Sequence, residues 1–142
     1  MSIFIKLMRN QMRGNKNYGK WFAKTVAMGE KHTNDLARTI EKETTFTRGE
    51  VKGMIDALVD TMTMELQSGN TVVLDGFGRF RLVAESISAD TPEDFSIRNH
   101  IKGVKCRFLP TGKRRSGSRS LSNAFCEGVK VAYAKEDGVG QG

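Results

Sequence analysis

The 142 residues predict an α+β fold: an N-terminal β-hairpin, a helix–turn–helix pair, an antiparallel three-stranded sheet and a last helix. Two patterns carry this. From Val51 to Leu66 apolar residues recur at helical spacing behind a capping sequence. From Arg79 to Leu82, and again from Val104 to Phe108, apolar and basic residues alternate with the two-residue period of a strand.

The elements follow in order. Residues 3–8 and 21–26 read as strands, and the Asn-, Gly- and Lys-rich residues 9–20 between them read as a long basic hairpin loop. Thr33 or Asn34 can cap the first helix, in which Leu36, Ala37 and Ile40 share a face; β-branched Thr44 and Thr45 end it. The second helix starts at Thr47-Arg-Gly-Glu50, a capping box in which hydroxyl and carboxylate each accept an otherwise orphaned backbone N–H. Val51, Met54, Ile55, Leu58, Val59, Met62 and Leu66 form its apolar stripe, which reads as packing surface rather than a cofactor box. Gly69 is placed to end it in the left-handed conformation.

Thr71–Leu74 reads as a strand and Asp75–Gly78 as a turn. In the strand after it Phe80 and Leu82 face inward, with Arg79 and Arg81 outward. Residues 85–99 are polar and acidic, with Pro92 opening one short helical turn. Val104, Cys106 and Phe108 alternate with Lys105 and Arg107 up to Pro110. Residues 111–120 make a basic Gly/Ser loop. Leu121, Phe125, Val129 and Ala132 are spaced for a last amphipathic helix, and residues 137–142 read as a flexible tail.

Net charge is +7, with a sequence pI near 9.6. It is unevenly spread: residues 1–32 carry +6, residues 33–100 carry −5 and residues 101–142 carry +6. Two basic ends around an acidic middle suggest a surface that faces a polyanion. Several chemistries find no motif. Gly112-Lys113-Arg114 is not a phosphate-binding P-loop, Gly76-Phe77-Gly78 lacks a third glycine at Arg81, and no nucleophile elbow occurs. Cys106 and Cys126 with His32 and His100 fit no metal-ligand spacing, so two reduced thiols are expected. No apolar run reaches membrane-spanning length, and the stretch before Arg9 is too short for a signal-peptide core. The expectation is a soluble, intracellular, non-enzymatic protein with no cofactor, metal or small-molecule substrate.

The helix–turn–helix, the segment Gly69-Asn-Thr-Val-Val-Leu-Asp-Gly-Phe-Gly-Arg-Phe80 and the strand ending Arg107-Phe-Leu-Pro-Thr-Gly-Lys113 together resemble the HU/IHF histone-like DNA-binding proteins. Residues 32–113 carry the likeness well, and residues 1–31 resemble the N-terminal extension of a divergent HU-like branch. On this reading residues 1–31 are a hairpin extension, 32–136 an HU-like DNA-binding domain and 137–142 a tail. The resemblance implies an intertwined homodimer whose core holds Met54, Leu58, Met62, Phe77, Phe80 and Phe108. It also implies a basic sheet saddle lying on double-stranded DNA, in a bacterial, cytoplasmic protein of the nucleoid that condenses or organises DNA. One feature departs from the family: its long arms end in an Arg-Asn-Pro wedge, whereas here Arg98-Asn99 precedes His100, and Pro92 sits beside Glu93 and Asp94.

The leading phosphate contacts are Lys113, Arg114, Arg115 and Arg119, four cations within seven residues on a Gly/Ser loop. Arg79, Arg81, Lys105 and Arg107 follow on the sheet face. Arg13, Lys16 and Lys20 are weaker candidates. Trp21 reads as a packing or dimer residue, with stacking on a base as its functional alternative. The rival reading turns the same fold to protein–protein association or scaffolding without DNA, with the basic ends meeting an acidic partner or serving solubility.

Overall fold

The computed structural model describes residues 1–114, 121–123 and 125–135. In chain order the elements are β1 (Ser2–Arg9), β2 (Trp21–Val26), α1 (Thr33–Glu43), α2 (Arg48–Gln67), β3 (Val72–Leu74) and β4 (Gly78–Ser86). There follow α3 (Ile97–His100), β5 (Ile101–Pro110), β6 (Gly112–Arg114), β7 (Leu121–Asn123) and β8 (Lys130–Tyr133). The chain divides into two compact units, one of Met1–His32 with the described residues from Cys126 on, the other of Thr33–Phe125.

The first unit is a three-stranded sheet of order β2-β1-β8. β1 and β2 pair antiparallel from Phe4↔Val26 to Arg9↔Trp21, and two further bonds between Asn10 and residues 19–20, both 2.8 Å, extend the ladder into the loop. β8 runs parallel to β1, placing Ile3 opposite Val131 and Ile5 opposite Tyr133. The helix expected from Leu121, Phe125, Val129 and Ala132 is not formed. Leu121 lies in β7, Phe125 in a turn at 125–128, Val129 in the link that follows and Ala132 in β8. Gly128, at φ +72°, interrupts any helix, and Val131 and Tyr133 alternate as strand residues once β1 offers its edge.

In the second unit α1 packs along α2 and buries Ala37 completely. The capping box forms. Thr47 Oγ1 accepts from the Glu50 amide at 3.3 Å, and Glu50 Oε2 accepts from the Thr47 amide at 2.8 Å. These bonds hold the exposed Glu50 carboxyl below its ordinary pKa, the Thr47 backbone N–H first and its hydroxyl second. At the other end the Gly69 amide bonds to Leu66 O at 3.1 Å and the Asn70 amide to Glu65 O at 3.0 Å. This is a Schellman cap, with Gly69 at φ +90°.

β3, β4 and β5 form an antiparallel sheet of that order, with a register shift between Glu85 and Ser86. The turn from β3 to β4 closes with the Phe77 amide on Leu74 O at 2.9 Å and needs Gly76 at φ +77°. Gly78 is required for another reason: a Cβ there would meet Leu109 O at 2.6 Å and press into the Phe108 ring. Between β4 and β5 the chain closes on itself, the Ile87 amide reaching His100 O at 2.9 Å. The single turn expected at Pro92 is a hydrogen-bonded turn, and the helical turn α3, capped by Ser96, follows it. β6 and β7 form a separate two-stranded hairpin, so the expected loop 111–120 begins as a strand. The expected tail, 137–142, lies outside the described residues.

Candidate nucleic-acid interface

Strand periodicity sorts the two faces of the β3-β4-β5 sheet. Phe80 is opposite Phe108 and Leu82 opposite Cys106, while on the other face Arg81 is opposite Arg107 and Val83 opposite Lys105. The first set continues into an aromatic cluster, with Phe80 and Phe108 centroids 4.7 Å apart and Phe77 5.5 Å from Phe108 and 5.4 Å from Phe125. In the second set Arg81, Lys105 and Arg107 are exposed and basic, and Val83 between them is half-buried.

Its four cations are not equivalent. Lys105 Nζ is ion-paired with Glu85 Oε1, one step further along the same face. Arg79, Arg81 and Arg107 have no ion-pair partner among the described residues, and with Thr71, Phe108 and Leu109 they line an open cleft of about 380 Å³. Like charges directly opposite on a sheet repel. A planar guanidinium fork matches an oxyanion bidentately. The arrangement is therefore a surface short of negative charge that can bind phosphate without covalent chemistry. The sequence missed Lys105's pairing, although extending the alternation 79, 81, 83, 85 places Glu85 on this face.

Of the loop candidates, Lys113 and Arg114 stand on β6, opposite Ser122 and Leu121, and Arg115 and Arg119 lie outside the described residues. Arg98 and Asn99 lie in α3 and Pro92 in a turn. Cys106 and Cys126 are free and exposed. Among the described residues there is no cluster of metal-ligating side chains and no helix long and apolar enough to cross a membrane.

The second unit leaves much apolar surface uncovered. Ala37 and Val51 are its buried hydrophobics among the described residues. Met62 and Phe80 are half-buried, whereas Met54, Leu58, Phe77 and Phe108 are 50%, 43%, 42% and 43% exposed. Met54 and Ala57 line an open groove with Phe46.

Comparison with curated proteins gives no match. Among solved structures, the chain is similar in fold to a Bacteroides vulgatus protein provisionally described as a bacterial DNA-binding protein, with a TM-score of 0.60 and 10% identity. The likeness covers 93% of this chain but 47% of the other, so this chain spans about half its neighbour's length. Residues 1–123 match a family model described as an HU domain fused to a wHTH, Ig or glycine-rich motif. That match takes in most of the chain, including the helix pair and the basic sheet, and the chain belongs to this HU-HIG family.

Proposed function

We propose that the second unit binds duplex DNA without catalysis and largely without sequence preference, as a homodimer that organises the DNA it covers. The observation that carries this reading is the trio Arg79, Arg81 and Arg107 on one exposed sheet face, without ion-pair partners among the described residues. A polyanion supplies the counter-charge that this face lacks, and contacts to a phosphate backbone are indifferent to sequence. Lys113 and Arg114 extend the contact from β6, the cations Arg115 and Arg119 that follow in the sequence add to it, and Lys105 contributes once its bond to Glu85 is exchanged for phosphate. Membership of an HU-type family and the fold shared with a protein described as DNA-binding support the same reading.

A second copy supports the fold itself. A helix stripe and aromatic cluster left this open cannot sustain a stable unit alone, and Met54, Leu58, Phe77 and Phe108 are the surface a partner covers. The arm wedge has no counterpart in the described turn around Pro92, so backbone contact rather than intercalation carries the affinity.

The test is fluorescence anisotropy on a ~30 bp random-sequence duplex over a range of salt. Micromolar or tighter binding whose log K falls steeply with log salt supports the reading, and the slope counts the phosphates engaged. Absence of binding at low salt would leave the fold as a protein-association module.

A further inference from the structure

The N-terminal sheet carries a separate constellation, on residues that the proposed duplex contact of the second unit does not include. Its hairpin loop is a folded object. The Met12 amide bonds to Asn10 Oδ1 and the Asn17 amide to Asn15 Oδ1, both at 2.9 Å, and Gly14 and Gly19 turn the chain at φ +83° and +77°. Gly19 O accepts from Arg9 Nε at 3.2 Å, fixing that guanidinium on the face of the hairpin that also carries Trp21, its register partner.

Around this loop lie two adjoining clefts. One, of about 460 Å³, is lined by Asn10, Asn17, Lys20, Trp21 and Phe22; the other, of about 290 Å³, by Arg9, Asn10, Gln11, Arg13 and Tyr18. Each combines an aromatic ring, at least one cation and side-chain amides. The rings are open to solvent, Trp21 at 66% and Tyr18 at 55%. Among the described residues the Asn17 and Gln11 side-chain amides bond to no protein group. Residues 1–32 hold seven basic side chains against Glu30 as the sole acid.

From these we infer that the N-terminal hairpin binds single-stranded nucleic acid, with unpaired bases stacked on Trp21 and Tyr18 and their phosphates on Arg9, Arg13 and Lys20. The chemistry selects this ligand. An exposed ring inside a basic cleft pairs a π-face with charge, as single-strand binders do, and free amides meet the edges of an extruded base. Bases within a duplex present no free face, so the site prefers unpaired strands. Two clefts sharing Asn10 fit neighbouring nucleotides. The inference stands on the first unit and is independent of the duplex reading.

Trp21 is the only tryptophan, so its intrinsic fluorescence reports the site directly. The full chain is titrated with dT10, with rU10 and with a 20 bp duplex. Saturable quenching by dT10 or rU10 that weakens with salt is expected, with little quenching by the duplex, and the two oligonucleotides distinguish a DNA from an RNA strand as the source. Trp21→Ala and Tyr18→Ala should each weaken binding of labelled dT10 or rU10 roughly 5- to 150-fold, the range of one base stack. Trp21→Phe should keep most of the affinity, and all three variants should bind duplex within twofold of the parent. Unchanged fluorescence with both oligonucleotides at low salt would overturn the inference, as would Ala variants that bind them within twofold of the parent. So would Trp21 emission that depends on protein concentration rather than on oligonucleotide, which would place the ring between copies of the chain.

Discussion

Arg81 and Arg107 stand directly opposite each other on adjacent antiparallel strands, two like charges in register on the same exposed face. Such a pair costs the free protein a few tenths of a kcal/mol to about 1 kcal/mol. A bound polyanion reverses its sign. Arg107→Glu should therefore raise the thermal midpoint of the free protein by a few degrees, creating an opposite-charge pair with Arg81, while weakening duplex binding at least tenfold. Differential scanning calorimetry and anisotropy together check both halves. A variant that loses stability and keeps DNA affinity would remove this face from the interface.

The proposed phosphate contacts around β6 call for a test of their own. Replacing Lys113, Arg114 and Arg115 together by Ala should weaken binding about equally across duplex sequences and flatten the salt slope by up to about three units. An unchanged slope would take the hairpin out of the contact.

Assembly is open to a direct test. Met54 and Leu58 are half-exposed on one helix stripe, beside the groove that Phe46 helps to line. A carboxylate at Leu58 would be buried without a partner in a homodimer. Leu58→Asp should convert a dimeric sedimentation profile to monomer or unfolded chain and cost several kcal/mol of unfolding free energy. A parent protein that sediments as a monomer across micromolar concentrations would refute the dimer.

Gly78 is limited by packing rather than by loop flexibility. Ala at this position must displace Phe108 or the β5 backbone, and an expected cost of about 1–3 kcal/mol should appear in urea unfolding. At Gly76 no atom lies within 4 Å of an added Cβ, so Gly76→Ala should cost only the strain of its positive φ, about 1 kcal/mol.

The Thr47–Glu50 box sets an acid limit on α2. Glu50's pKa is lowered in the fold, so its contribution is fully present above its ordinary value of about 4.5 and is lost as pH falls through the lower folded value. Helix content should fray on acidification, and Thr47→Ala should cost about 1 kcal/mol at neutral pH, with less further loss of stability in acid than the parent shows. Circular dichroism against pH measures both.

What the sequence determined by itself is local. The capping box, the Val51–Leu66 stripe and the Gly69 stop all rest on contacts within a turn or two of helix, and all appear in the structure. The division of the sheet into Phe80/Phe108 and Arg81/Arg107 faces follows from strand period alone. Tertiary structure decided the rest. Residues 121–132 carry a helical spacing, yet Lys130–Tyr133 is a strand because β1, distant in the chain, offers an unpaired edge whose hydrogen bonds outweigh a weak local preference. The pairing of Lys105 with Glu85 and the convergence of Tyr18 and Trp21 with Arg9, Arg13 and Lys20 on one loop likewise depend on strand register and turn geometry. Those are relations between segments, and a residue's own neighbours in the chain do not encode them.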